Sequence, residues 1–126
     1  MQFSIQREAL LKPLQQVVGV VERRQTLPVL ANLLVKVAEG QLSLTGTDLE
    51  VEMIATSTAD KLVDGEITIP ARKFFDIVRA LPDGATVELK LNGDRVALNA
   101  GRSRFTLTTL PASEFPTIDS IELVEK

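Results

Sequence analysis

Two segments of the chain repeat apolar residues at the spacing of an amphipathic helix. The first segment predicts a helix over about residues 7–19, with Pro13 expected to cause a kink or an irregular first turn. The second predicts a helix that ends at Leu81, before Pro82-Asp83-Gly84. The apolar residues of the two helices are Leu10, Leu11, Leu14, Val17, Val18 and Val21, and then Phe74, Phe75, Ile77, Val78 and Leu81.

Around these helices, apolar and polar residues alternate as in half-buried strands. The predicted strands are 3–5, 32–38, 41–45, 48–58, 66–69, 86–91, 95–100 and 103–109. Turns are predicted at Glu39-Gly40, at Gly46 and at Asn92-Gly93, of which the last has the strongest hairpin signal.

The order strand, helix, strand, strand, strand therefore occurs twice, over about residues 1–60 and 64–112. A shift of 64 residues places Leu10 on Phe74 and Ile5 on Ile69. We expect one α+β domain in which both helices lie on one side of antiparallel sheets.

The composition limits the chemistry that this chain can perform. Its 126 residues fit one domain, and it contains no Cys, His, Trp or Tyr. Disulfides, zinc sites of Cys or His, and imidazole or thiol catalysis are thereby excluded. No apolar run is long enough to cross a membrane, and the first residues do not resemble a signal peptide. We expect a soluble, cytoplasmic protein without a membrane partner.

The net charge of −3 hides a local surplus of basic residues, since residues 67–113 hold seven basic and four acidic side chains. The polar faces of the two predicted helices are Glu8, Lys12, Gln15, Gln16 and Gly19, and Arg72, Asp76 and Arg79. Side by side, such faces could contact phosphates without reading bases. An ordinary solvated helix face is the alternative.

Three acids alternate with apolar residues at Asp48, Glu50 and Glu52, and on a strand they would share one face. They could hold a hard cation or serve a metal-dependent hydrolase, but a solvated acidic face explains them equally well. The glycines near Asp48 and Arg102 lack the spacing of phosphate-binding loops. We expect no enzyme, no metal and no cofactor.

The last predicted strand is amphipathic. Phe105 and Leu107 share one face, and Arg102 and Arg104 share the other. The strand could be a sheet edge that another subunit extends, or its apolar residues could simply join the core.

Five blocks of sequence, spread over the whole chain, have a shared family pattern. They are Glu8-Ala9-Leu10-Leu11-Lys12-Pro13-Leu14-Gln15-Gln16 with Thr26-Leu27-Pro28; Leu42-Ser43-Leu44-Thr45-Gly46-Thr47-Asp48-Leu49-Glu50; Ile69-Pro70-Ala71-Arg72-Lys73-Phe74-Phe75-Asp76-Ile77; Gly101-Arg102-Ser103-Arg104-Phe105; and Thr109-Leu110-Pro111-Ala112 with Glu114-Phe115-Pro116. In this order they resemble the beta subunit of bacterial DNA polymerase III, the sliding clamp family.

The resemblance implies a processivity-fold domain, three of which form a protomer. Two protomers close head to tail around double-stranded DNA and tether the polymerase without reading sequence. It implies that Arg24 and Arg72 contact the DNA backbone, with Lys12, Arg7 and Arg79 as weaker candidates. The implied protomer junction consists of Lys73, Arg95, Arg102, Arg104, Phe105 and Leu107.

On this resemblance, residues 1–116 are the first clamp domain and 117–126 begin a linker to a second domain missing from the chain. The DNA polymerase and the clamp loader would bind through the absent domains. We therefore expect an excised or truncated first domain. The alternative is a self-contained protein-interaction domain that uses its C-terminal edge strand and does not bind DNA.

Overall fold

The computed structural model describes residues 1–21, 28–48 and 51–116. These residues form two helices and nine strands. The helices are α1 (Arg7–Val18) and α2 (Ala71–Ala80). The strands are β1 (Gln2–Gln6), β2 (Asn32–Ala38), β3 (Gln41–Thr47), β4 (Glu52–Ser57), β5 (Asp60–Val63), β6 (Gly65–Pro70), β7 (Thr86–Asn92), β8 (Arg95–Ala100) and β9 (Ser103–Thr108). Short 3₁₀ turns occupy Pro28–Ala31 and Ala112–Glu114.

The two sequence repeats exchange their first strands. One antiparallel sheet has the order β5-β1-β7-β8-β9, and the other has the order β4-β3-β2-β6. Strand β1 pairs with β7 of the second repeat, with Ser4 opposite Glu88, and β6 pairs with β2 of the first, with Thr68 opposite Leu34. The α+β prediction is confirmed, and the exchange interlaces the repeats so that each sheet contains strands from both.

One hydrophobic core joins both helices to both sheets. Leu10 of α1 and Phe74 of α2 are fully buried in it, and the two helices contact each other. The helix α2 buries one face because Ala71, Phe74 and Val78 recur at helical spacing. It ends at Ala80, since Leu81 is extended ahead of a proline that disfavours helical backbone in the residue before it.

The helix α1 runs unbroken through Pro13 and begins at Arg7 without an irregular first turn. A proline inside a helix lacks the N–H that would pair with the carbonyl four residues earlier, here that of Ala9. That lost bond does not interrupt the helix, because packing fixes α1 through its buried residues. These are Leu10, Leu14, Val17 and Val18.

The predicted turn at Gly46 is wrong. Gly46 lies inside β3 and is buried beneath α1. A Cβ added there would stand 2.8 Å from Val17 Cγ1 and 2.9 Å from the Val17 carbonyl oxygen. A glycine is therefore needed at this position for the close approach of helix and strand, and not for a turn.

The predicted strand over 48–58 is wrong in its first part, because β4 begins only at Glu52. Just before it, Thr47 Oγ1 donates a hydrogen bond to the Val51 carbonyl at 2.8 Å. The Val51 N–H in turn donates to Asp48 Oδ1 at 2.7 Å. Turn-forming hydrogen bonds by a short polar side chain are typical of aspartate.

Strand β5 was not predicted from the sequence. It has four residues, three of them exposed, and it lies at an edge of the five-stranded sheet, where it pairs with β1. The register with β1 is irregular between Gln2 and Ser4, and Lys61 has a positive φ of 53°. In the described residues, no helix is long and apolar enough to span a membrane.

Candidate nucleic-acid interface and edge strand

The polar faces predicted for the two helices are exposed. On α1 and just after it, the exposed residues include Glu8, Lys12, Gln15, Gln16 and Gly19. On α2 they include Arg72, Lys73, Asp76 and Arg79. Because the helices touch each other and bury their opposite faces in one core, the two polar faces belong to neighbouring elements of one surface. We call Lys12, Arg72 and Arg79 the helix-face cations.

Arg79 is held along the surface of its own helix. Its Nη2 lies 3.3 Å from Asp76 Oδ1, and its guanidinium carbon lies 5.3 Å from the centre of the Phe75 ring. The Arg79 side chain is still 63% exposed, so solvent or a ligand can reach it. An exposed pair of this kind adds little to stability, which leaves the arginine free to exchange partners.

Arg7 differs from the helix-face cations because its donors are used inside the chain. Its side chain is only 13% exposed. The Nε donates to the Val78 carbonyl at 3.1 Å, and Nη2 donates to the Arg79 carbonyl at 2.8 Å. Its Nη1 lies 3.1 Å from both Glu8 Oε2 and Asp83 Oδ1.

Glu8 completes this contact from the first turn of α1. Both of its carboxylate oxygens lie 3.1 Å from the Gly84 amide, which donates a hydrogen bond to them. The Gly84 N–H, and after it the Arg7 guanidinium, lower the pKa of Glu8. Sequence reasoning did not find this cluster, because only the fold brings residues 7 and 8 to residues 83 and 84.

Arg24, the first of the predicted DNA contacts, lies outside the described residues. The structure therefore places four of the five predicted DNA contacts. Three of them are the exposed helix-face cations, and the fourth, Arg7, joins the ends of the two helices.

Five of the six predicted junction residues lie on or beside strand β9, which is an edge strand as expected, and the sixth, Lys73, lies on α2. Arg104 is exposed on β9, Arg102 is exposed in the turn before it, and Phe105 is half-buried against the core. Arg95 is exposed at the start of β8, where it lies opposite Thr108 of β9. Lys73 is exposed on α2.

Leu107, one of the predicted junction residues, is buried inside this domain. It is 5% exposed and belongs to the main core, with Val96 opposite it on β8. Its side chain faces inward, so the alternative that the apolar residues of this strand join the core holds for Leu107. Phe105, two residues earlier, retains partial exposure.

Of the three acids for which a hard cation is the alternative interpretation, the structure describes Asp48 and Glu52. Asp48 lies outside both β3 and β4 and Glu52 begins β4, so the two do not share one strand. Glu50 lies outside the described residues. Within the part of the chain that the structure describes, no three Asp or Glu side chains are grouped to hold a metal ion.

The fold is that of bacterial DNA sliding clamps. A crystal structure of a DnaN sliding clamp (DNA polymerase III subunit beta) from Pseudomonas aeruginosa superposes with a TM-score of 0.91 at 57% identity, over 94% of this chain and 32% of that one. The pol III beta protein of Caulobacter crescentus superposes with a TM-score of 0.90 at 48% identity, over the same shares of the two chains.

The amino-acid sequence points to the same family more specifically. The beta sliding clamp of Salmonella typhimurium is 58% identical over 120 residues, which are 94% of this chain and 33% of that protein. The family described as "DNA polymerase III beta subunit, N-terminal domain" matches residues 1–119. The chain belongs to this family, and it spans about a third of the length of the curated relatives it matches.

Proposed function

We propose that this chain forms the first domain of a DNA sliding clamp, a processivity factor that encircles duplex DNA and tethers a replicative polymerase without catalysing a reaction. Residues 1–116 would be the domain and 117–126 the start of a linker to the next one. The observation that carries the proposal is the pair of contacting helices in a sliding-clamp fold, with their cation-bearing faces exposed.

The helix-face cations, together with Arg24, would contact DNA phosphates. Lysine and arginine contacts to phosphate fix position but carry no sequence information. The binding constant K for such contacts falls steeply with salt. Each phosphate neutralised on duplex DNA makes the slope of log K against log salt concentration steeper by about 0.9. A small number of such contacts is weak, which suits a protein that must stay mobile while a closed ring retains it.

Strand β9 would form the junction with another clamp domain. An edge strand offers unpaired backbone N–H and C=O groups, and a second strand can extend the sheet by pairing with them. Half-buried Phe105 would then be covered by apolar side chains of the partner, beside Leu107, which is already buried in the core. The predicted cations of this junction would face acidic side chains of the partner; these cations are Lys73, Arg95, Arg102 and Arg104.

The remaining partners follow from the proposed role. DNA polymerase and the clamp loader would bind through other domains of the protomer, and two protomers would close head to tail as a homodimeric ring. Its DNA partner would place the protein in the cytoplasm, and the role calls for neither a membrane nor a cofactor.

The DNA proposal is tested by titrating the ¹⁵N-labelled chain with a short duplex at low salt and recording amide shifts by NMR. We expect the shifts to concentrate on α1 and α2, and the double substitution Lys12→Ala with Arg72→Ala to reduce the salt slope by about 1.8, since two phosphate contacts are removed. The matched control is Lys36→Ala with Lys90→Ala, which removes two exposed lysines from the sheets.

Shifts that concentrate on the sheets, or a salt slope that the helix variant leaves unchanged, would contradict the proposed DNA face. A titration without any shift on the helices, combined with protein binding at β9, would favour the alternative of an interaction domain that does not bind DNA.

A further inference from the structure

Arg7 joins the start of α1 to the end of α2. The last carbonyls of a helix have no partner within that helix and carry its partial negative charge. From the first residue of α1, Arg7 donates to two carbonyls at the end of α2, that of Arg79 and that of Val78, which also accepts the Leu81 N–H. Its backbone N–H also donates to the Ala85 carbonyl at 2.8 Å.

Two acidic residues, one from each end that Arg7 joins, pair with its guanidinium. Asp83, in the turn after α2, pairs with the Arg7 guanidinium. Glu8 pairs with the same guanidinium and accepts the Gly84 N–H, so the start of α1 is bonded to the turn that ends α2. The N-terminal end of one helix therefore lies beside the C-terminal end of the other.

We infer that Arg7, Glu8, Asp83 and Gly84 form an interhelical latch, in which Arg7 is a positioning residue that sets α1 against α2 and thereby fixes the spacing of the helix-face cations. Only the consequence for DNA rests on the proposed function. The latch itself rests on five donor groups: three join Arg7 to Val78, Arg79 and Asp83, one joins the Arg7 N–H to the Ala85 carbonyl, and the Gly84 N–H is shared by both Glu8 carboxylate oxygens.

The geometry favours positioning over direct contact with DNA. The guanidinium is only 13% exposed, and Nε, Nη1 and Nη2 each donate to an oxygen of this chain. A phosphate would have to displace Asp83 and the two carbonyls, and the Arg79 carbonyl would lose its guanidinium partner, which costs about as much free energy as the new hydrogen bonds to phosphate would supply. Lys12, five residues further along α1, is exposed and needs no such exchange.

Among the described residues, the latch is present at one end of the helix pair only. A shift of 64 residues, which superimposes the repeats, places Arg7 on Ala71, and Ala71 is fully buried. At the other end α1 is instead held by close packing over Gly46. The two ends are therefore fixed by different means, and the latch is the one that depends on charge.

A spectroscopic experiment tests the latch without DNA. The chain has no cysteine, so Ala9→Cys on α1 and Ala80→Cys on α2, both at exposed positions, give a unique pair of spin labels. We expect a narrow distribution of label distances that broadens at least twofold in Arg7→Ala. In Arg7→Lys the broadening should be intermediate, because an ammonium cannot span two carbonyls and two carboxylates as the planar guanidinium does. The matched control Lys90→Ala should leave the distribution unchanged.

A second measurement separates positioning from contact. In the DNA titration, loss of a positioning residue lowers affinity while the salt slope stays the same, whereas loss of a phosphate contact lowers the slope by about 0.9. We expect Arg7→Ala to weaken DNA binding several-fold at an unchanged slope.

An unaltered distance distribution in folded Arg7→Ala, or a slope reduced by about one contact, would overturn the inference. If Arg7→Ala does not fold, the comparison of Arg7→Lys with the parent chain decides in the same way. Failure of the DNA proposal alone would leave the distance measurement intact.

Discussion

Gly46→Ala tests whether α1 is seated on β3 as closely as the structure shows. The added Cβ would lie 2.8 Å from Val17 Cγ1, 2.9 Å from the Val17 carbonyl oxygen and 3.2 Å from Val21 Cγ2. The methyl of Val17 could rotate away, but the carbonyl oxygen belongs to the helix backbone and cannot. Either α1 or β3 must therefore move.

Forcing an extra carbon into a packed core costs about 1–3 kcal/mol. For a domain of this size, where m is about 1–1.5 kcal/mol/M, that loss lowers the urea midpoint by about 0.7–3 M. Unfolding would be followed by far-ultraviolet circular dichroism at 25 °C. An unchanged m-value would show that the cost lies in the folded state.

Gly19→Ala is the matched control. Gly19 follows α1 with an ordinary helical φ of −60°, and its added Cβ would come no closer than 3.4 Å to the Gln16 carbonyl. We expect this variant to remain within about 0.5 kcal/mol of the parent or to gain slightly, through a less flexible unfolded chain. Equal stability of the two alanine variants would refute the reasoning about close approach.

Further predictions concern the edge strand, a buried polar pair and the latch. Leu107→Ala should lower the free energy of unfolding by about 2–5 kcal/mol, because it leaves a cavity in the core. Phe105→Ala should lower it clearly less in the isolated chain, because Phe105 is only half-buried. Equal losses of stability in urea unfolding would count against the assignment of Leu107 to the core. Thr68→Val should cost about 1–3 kcal/mol, since it leaves the buried Asn32 amide without the hydroxyl acceptor 3.0 Å away, whereas Thr68→Ser should restore most of the stability in the same assay. The pKa of Glu8 is lower in the folded chain than its ordinary value of 4.5, so its contribution to stability is complete above that pH and is lost as the pH falls through the folded value. Glu8→Gln should flatten the dependence of stability on pH in that window, and a variant with the parent's slope would argue against the Gly84 and Arg7 contacts.

The elements with a clear local period could be read from the sequence alone. The apolar spacing located both ends of α1 and the end of α2 to within a residue, and Asn92-Gly93 correctly marked the hairpin between β7 and β8. Such signals depend on near neighbours in the chain, because one face of each helix or strand must be buried.

Short-range reasoning failed where a residue's role depends on a distant partner. Gly46 has the appearance of a turn residue, but the approach of α1 to β3 explains it. Strand β5 is too short and polar to show a period, and only its pairing with β1 makes it a strand. Leu107 and Phe105 lie on the same face in the alternating pattern, and only the structure shows that Leu107 is buried whereas Phe105 is half-buried.

Some features of the candidate site could likewise be read from the sequence, and others could not. The sequence predicted the exposed helix faces, and its motifs indicated the family, because both are carried by residues close together along the chain. It did not show that Arg7 is engaged with the end of α2, since Asp83 lies 76 residues away.

The sequence by itself therefore determined the helices, most of the strands, the repeat and the family. The tertiary structure alone decided that the repeats exchange β1 and β6, that α1 rests on Gly46, and that Arg7 links two helices. The physical reason is the range of the interactions: periodicity expresses burial of one local face, whereas strand pairing, close packing and the satisfaction of helix-end carbonyls join groups that only folding brings together.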